Sequence, residues 1–413
     1  MSKFVLASIL LTVFFYTSCE TSTVSKNEQP IISSLTADPD TVEVDGTSDL
    51  VCVATDPDGD NLIYTWEIAA GSISGTGSNV TWTAPSSAGT FVVSCKVEDG
   101  NGGQDNASVN IVASEKTFLW EQTSGPGGGG IWSLAINSLN HIFAGTADNG
   151  LYRSTDNGDT WIKMDIQGGN PVLPTVWSIA INSSDHIFTG KGGGIFRSID
   201  NGSTWTETGF SNGDASSIVI NSYDYLFAAG GGGVSRSMDH GENWTEINSG
   251  LVYSDVKTLG ISSTNTIFVG TRNGEVFRLD ENTDTWIKTG LTITDQPQDY
   301  YDIVVTIALN SFDYIFTGTN GAGIYRSIDN GDTWVEINNI LTNTDIRAIV
   351  FNSLDHLFIG TAGNGVFYST NNGDNWSKAG NLSGHILSLS TNSNDHIFAG
   401  TLDQGVFRTT TGN

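Results

Sequence analysis

Ser154-Thr155-Asp156-Asn157-Gly158-Asp159-Thr160-Trp161 decides the fold, because the stretch does not stand alone. Its Ser-x-Asp-x-Gly-x-x-Trp form returns at 198–205, 237–244 and 327–334. Residues 369–376 keep it with Asn371 for Asp, and 279–286 keep only an outline, with Glu281 and Thr283 at the Asp and Gly positions. Each part has a local purpose. The carboxylate accepts backbone N–H groups of the turn, the glycine supplies a positive φ, and the tryptophan covers a large apolar area of neighbouring strands.

A second motif precedes each turn. Asn137-Ser138-Leu139-Asn140-His141-Ile142-Phe143-Ala144-Gly145 has counterparts that close on Gly190, Gly230, Gly270, Gly318, Gly360 and Gly400. The spacings are 45, 40, 40, 48, 42 and 40 residues. Repeats of this length, with short apolar runs between turn signals, are the size of a four-stranded propeller blade. The reading is therefore all-β, with a seven-bladed β-propeller over 117–413. The last copy lacks a fourth strand, and Phe118-Leu119-Trp120-Glu121 matches it. Residues 117–122 are expected to close the ring by pairing with residues near 404–410, which removes the exposed edges of an open array.

The turn element resembles the Asp-box, or BNR, repeat of sialidase-type propellers. That likeness implies a propeller, and it leaves activity open. One carboxylate, one histidine or one arginine per blade cannot converge on a single site, so recurring residues are read as architecture. This covers His141, His186, His356 and His396, and the arginines at 153, 197, 236, 278, 326 and 408. The Phe/Tyr-Arg-Ile-Pro signature of sialidases is absent.

Upstream, 30–114 shows short alternating strands at 49–54, 62–67, 80–82, 91–97 and 107–111, the spacing of a β-sandwich. Asp56-Pro57-Asp58-Gly59-Asp60, Tyr64-Thr65-Trp66 and 97–103 resemble bacterial PKD and related immunoglobulin-like domains, which act as spacers or adhesion modules. Cys52, Trp66 and Cys95 stand in immunoglobulin order, and Cys52 and Cys95 are expected to form a disulfide across the two sheets. Asp56, Asp58, Asp60 and Asp99 offer the hard oxygen ligands a Ca²⁺ cage would need. The same stretches are turn sequences, and the turn reading is preferred. No other cofactor is expected.

Residues 1–18 read as a signal peptide: Lys3, then an apolar run over 4–16 that is too short for a membrane helix. Tyr16-Thr17-Ser18-Cys19 resembles a bacterial lipobox, which implies a lipidated Cys19 as the mature N-terminus. Residues 19–29, poor in apolar side chains, read as a tether. Cys19 also accounts for the odd count of three cysteines. The implied place is the bacterial cell envelope, lipid-anchored, periplasmic or at the outer-membrane surface.

The chain carries 17 Lys+Arg against 45 Asp+Glu, a net charge of −28. That argues against nucleic acid as a partner and against electrostatic adhesion to an anionic membrane. Eleven Trp and nineteen Phe exclude general disorder.

Candidate binding residues lie where the repeat varies. Within each blade the 1–2 turns and the Ser-x-Asp-x-Gly turns share one face and are uniform, whereas the loops of the other face differ in length and chemistry. Function tends to sit on such loops. One position on the first strand also varies, reading Trp132, Trp177, Ser216, Lys257, Val305, Arg347 and Leu387. Trp132, Trp177, Lys257 and Arg347, with Tyr300 and Tyr301 of the longest loop, form the candidate ligand site. Inter-blade packing is the plainer reading of the same residues. Aromatic faces with scattered polar groups suit a glycan or a protein ligand.

The expected function is a non-catalytic, surface-anchored binding or scaffold lipoprotein, and a monomer. The alternatives are a glycoside hydrolase, sialidase- or xyloglucanase-like, with Asp295, Asp299 and Asp302 as carboxylate candidates, and an assembly factor similar to photosystem II stability/assembly factors.

Overall fold

The computed structural model describes residues 26–127, 129–168, 174–252, 255–291, 293 and 304–410. The chain divides into two compact units, Met1–Glu115 and Lys116–Asn413. Among the described residues no helix is long and apolar enough to cross a membrane. Residues 1–25, with Cys19, lie outside the described residues, as do Asp295, Asp299, Tyr300, Tyr301 and Asp302.

The first unit is an immunoglobulin-like sandwich of two four-stranded sheets. One runs Ile31–Asp38, Thr47–Thr55, Asn79–Thr83, Ser72–Thr76. The other runs Thr41–Glu43, Gln104–Ser114, Gly89–Glu98, Ile63–Ile68. The strand at Thr47–Thr55 alternates buried and exposed residues, as a strand with one solvated face must. Trp82, fully buried, fills the core with Leu50, Val93 and Ile111. Its indole N–H donates to Ala70 O at 3.0 Å. Trp66 is only partly buried and packs against Cys52 and Cys95.

Cys52 and Cys95 lie on different sheets, both buried. The two are thiols in the structure, each side chain shifting the other's proton affinity, and the expected bridge would join them on oxidation. Folding brings the sulfurs together, but the bond itself is an oxidation set by the surroundings rather than by packing.

The second unit is a β-propeller. Five separate four-stranded sheets span residues 131–336. An eight-stranded assembly follows and contains two further groups of four. One group is Ile346–Phe351, Leu357–Gly363, Gly365–Ser369 and Ser377–Lys378. The other is Gly384–Thr391, Ile397–Thr401, Val406–Thr409 and, from the start of the unit, Trp120–Gln122. Arg408 pairs with Glu121 and Thr409 with Trp120, antiparallel. The closing strand expected over 117–122 is therefore present. Each first strand packs on the first strand of the next sheet, and Gly384–Thr391 packs on Ile131–Ile136, which closes the circle.

The repeated Ile-Phe-x-Gly-Thr run explains the packing. The second strands, such as Ile142–Thr146 and Ile397–Thr401, are buried through their first five residues. Their phenylalanines, Phe143 through Phe398, are at most 1% exposed. Each is worth about 1.5–3 kcal/mol of burial. The closing glycine is where the next sheet comes nearest. A Cβ on Gly145 would stand 2.6 Å from Val176 Cγ1, and one on Gly400 would stand 2.7 Å from Ile131 Cγ2.

Candidate functional site

The variable first-strand position has a structural cause. The pairing of first and second strands slips at Trp132, Trp177, Lys257, Val305, Arg347 and Leu387. Each is the extra residue of a β-bulge, which turns a side chain away from the ladder. In the third sheet Ser216 stands just before the strand Ser217–Ile220. Ile131, Val176, Val256 and Ile346, one residue earlier, are fully buried and carry the packing. The bulge residue is thereby released from the core.

Two of these residues meet. The rings of Trp132 and Trp177 lie 5.4 Å apart at 53°. Both stay open to solvent, 38% and 36% exposed. Beside them a cavity of about 360 Å³ is lined by Trp177, Asp214, Ser216, Gly230, Gly231, Val256 and Lys257. Its polar groups are fixed by neighbours. Lys257 Nζ stands 2.6 Å from Asp255 Oδ1, and Arg272 Nη1 is 3.3 Å from Asp255 Oδ2. Burial alone would raise the Asp255 carboxyl, but Lys257 and Arg272 outweigh it and hold the group below the usual carboxylate range. The Ser216 hydroxyl donates to Ala229 O at 3.1 Å, and Asp214 Oδ1 accepts Gly193 N–H at 3.0 Å.

Arg347 does not line this cavity. It stands on the sixth sheet, with Nε 2.6 Å from Asp345 Oδ1 and Nη2 3.0 Å from Asn320 Oδ1. The structure thus brings Trp132, Trp177 and Lys257 into one neighbourhood and leaves Arg347 apart.

In the first unit, Asp56, Asp58 and Asp60 converge, with ligand-capable atoms within 4.8 Å of one another. They are the only such group of His, Cys, Asp or Glu among the described residues. Asp56 Oδ1 accepts the N–H groups of Asp58 at 2.8 Å and Asp60 at 3.1 Å, an Asx turn. Asp56 Oδ2 is buried without a partner. Asp99 does not join the group; its Oδ1 accepts the N–H groups of Asn101 and Gly103 within its own hairpin. The Asn27 amide, followed by those backbone donors, holds the Asp99 carboxyl below its ordinary range.

The recurring residues are spread over the sheets. His141 Nδ1 meets Asn201 Nδ2, and His396 Nδ1 meets Thr409 O, in different sheets. The arginines reach forward to the next sheet's turn, as Arg278 does to Asn330 O and Asp332.

Sequence reasoning missed one exposed set on the uniform face. Leu139, Tyr223, Phe312 and Leu354 occupy one 1–2 turn position and are 57–67% exposed. Their variation from copy to copy was the available signal.

Comparison with known proteins places both units. Residues 167–342 match the model of the DUF6242 beta propeller domain, and residues 27–112 match a bacterial Ig domain. No curated protein matches the chain. Among solved structures it is similar to the extracellular domain assigned to a one-component system of B. thetaiotaomicron, at 15% identity and TM-score 0.60, over 71% of this chain and 40% of that one. It is also similar to YCF48 bound to D1 peptide, at 13% identity and TM-score 0.57, over 72% of this chain and 98% of that one. A GH74 xyloglucanase from Xanthomonas campestris matches at 15% identity and TM-score 0.55, over 70% of this chain and 53% of that one. This chain thus spans well under two thirds of the first and third. At these identities the likeness is one of fold.

Proposed function

We propose that the chain is a non-catalytic binding lipoprotein of the bacterial cell envelope, built on a seven-bladed Asp-box propeller. Lipid on Cys19 anchors it, and the immunoglobulin-like domain separates tether from propeller in the chain. The ligand, a glycan or protein, is taken on the variable-loop face of the propeller, at the Trp132–Trp177 pair. One observation carries this reading: Trp132 and Trp177 stand side by side, open to solvent, and Trp177 lines a cavity that also reaches Lys257. Two adjoining indoles left open on a protein surface mark a place where another molecule binds. The recurring carboxylates, histidines and arginines are held in separate sheets, which favours binding over hydrolysis.

The test is ligand capture by the full chain and by Trp132→Ala and Trp177→Ala, with melting temperature as the control for folding. Capture lost with folding retained supports the site; capture unchanged in both variants rejects it. Lipidation is tested by Cys19→Ala, which should move the protein from the membrane fraction to the soluble one and abolish labelling by radioactive palmitate.

A further inference from the structure

The one basic side chain that lines the cavity beside Trp177 is already paired. Lys257 and Arg272 share Asp255. An anionic ligand would have to pull Lys257 from Asp255 and leave that carboxylate uncompensated, an unfavourable exchange in a partly buried site. A cationic ligand faces the mirror cost at Asp255 and is left with Asp214, whose Oδ1 already accepts Gly193 N–H. A neutral ligand rich in hydroxyls faces neither. A fixed ammonium–carboxylate pair presents N–H donors and lone-pair acceptors side by side, which is what two vicinal hydroxyls require. Asp214 and the Ser216 hydroxyl add to this edge of the cavity.

The indoles supply the other half. The C–H face of a pyranose ring is weakly positive and apolar, and it lies against the electron-rich face of an aromatic ring. Trp132 and Trp177 are tilted at 53°, so they offer two such faces at an angle rather than one flat platform. The cavity of about 360 Å³ lies at the lower end of the ligand-site range, about 300–1,000 Å³.

We infer that this site binds an uncharged oligosaccharide, one pyranose lying against Trp177 and Trp132 with its hydroxyls on Asp214 and the Lys257–Asp255 pair. This rests on the binding reading above and narrows its ligand to one class. A peptide presents N–H and C=O groups to the same pair, so the probes below must separate the two.

The experiment is calorimetry and tryptophan fluorescence of the full chain with four probes: a neutral β-glucan hexasaccharide, a neutral mannan hexasaccharide, an oligogalacturonate, and a mixed-sequence peptide library. Expected is binding to a neutral hexasaccharide, weakened about tenfold or more by Trp177→Ala and by Asp214→Ala with unfolding temperatures retained. Preference for oligogalacturonate or for peptide, still lost in Trp177→Ala, overturns the sugar assignment and keeps the site. Sugar binding indifferent to Trp132→Ala and Trp177→Ala removes the site and the proposed function with it. Silence toward both neutral sugars overturns the inference.

Discussion

Ser393 of the last sheet donates to Asn140 of the first, through its N–H at 3.1 Å and its hydroxyl at 3.0 Å, both to Asn140 Oδ1. The same link joins successive sheets: Ser138 to Asp185, Ser263 to Asp313, Ser311 to Asp355 and Ser353 to Asp395 through both groups. Ser183 reaches Asp224 by its hydroxyl, and Ser222 reaches Asn265 by its N–H. The acceptors all sit near φ +60°, where Asn and Asp are tolerated best after Gly. Asn140→Ala should lose both bonds and strain the turn, costing about 1–2 kcal/mol. Thermal unfolding should then begin about 2–4 °C lower. Asn140→Asp, the residue used in most other sheets, should leave the melting temperature unchanged. An equal loss in both variants would mean that the link does not stabilise the ring.

Arg408 ties the two ends of the propeller unit together. Its guanidinium donates to Asn157 O and stands 2.8 Å from Asp159 and 3.2 Å from Glu121 of the closing strand. The Arg408 side chain is 15% exposed, but Glu121 and Asp159 are 54% and 63% exposed, so solvent screens the ion pairs and the bond to Asn157 O carries most of the tie. Arg408→Ala should loosen the closing strand first. Amide hydrogen exchange should rise at Trp120–Gln122 and Val406–Thr409 and stay unchanged in the second sheet. Arg408→Lys should protect only in part, because an ammonium lacks the planar five-donor fork that spans these acceptors. Uniform exchange in the alanine variant would count against a closing clasp.

The architecture was legible because its signals are local and repeated. The 40-to-48-residue period, the glycine of Ile-Phe-x-Gly and the unmatched Phe118-Leu119-Trp120-Glu121 each specify one contact. Short edge strands such as Thr41–Glu43 were not legible, since three residues in a parallel pair leave no periodicity to read. Trp82, rather than Trp66, fills the sandwich core, because depth depends on which sheet face a strand turns inward. At the site, variation at the first strand singled out Trp132, Trp177 and Lys257, but it could not say that Arg347 stands apart. That depends on which sheets adjoin, and on the partners Asp345 and Asn320. The bulge itself was invisible, because a slipped register leaves no mark on a single strand.

Cys52 and Cys95 give a prediction on redox state. Burial, then the Cys52 side chain, pushes the Cys95 thiol up to about 12, and burial raises Cys52 as well. As thiols they should therefore resist alkylation in the folded protein. Protein made in the reducing cytosol should take two alkyl groups only after denaturation. Protein exported to an oxidising compartment should take none until reductant is added, and should be more stable by about 2–4 kcal/mol. Free thiols in the exported form would show that contact alone does not lead to a bond.

Ca²⁺ should leave the first unit unchanged. Asp56 Oδ1 is occupied by its own turn, Asp58 Oδ2 accepts Glu28 N–H at 2.7 Å, and Asp60 Oδ2 accepts the Asn101 amide at 2.8 Å. Calorimetric titration is expected to give no heat and no shift in melting. A rise in melting temperature that Asp56→Asn abolishes would reassign the three carboxylates to a cation cage built around the buried Asp56 Oδ2.

The Ser-x-Asp-x-Gly turns should make stability fall in acid. The Thr160 hydroxyl and N–H, with Ser154, hold the Asp156 carboxyl at about 2. The N–H and amide of Asn243, with Ser237, do the same for Asp239, also at about 2. A carboxylate depressed on folding stabilises the fold above its unfolded value of about 3.9. That contribution is lost as pH falls from there through the folded value. The sixth sheet shows how to remove the titration while keeping the turn. Asn371 Oδ1 still accepts the Ser369 hydroxyl at 3.0 Å and Asn375 N–H at 2.9 Å. The double variant Asp156→Asn, Asp239→Asn should therefore be less stable than the parent at neutral pH, where the charged carboxylates contribute fully. The gap should narrow as pH drops from about 4 to about 2. Melting temperature followed across that window checks it, and parallel curves would place the acid sensitivity in other groups.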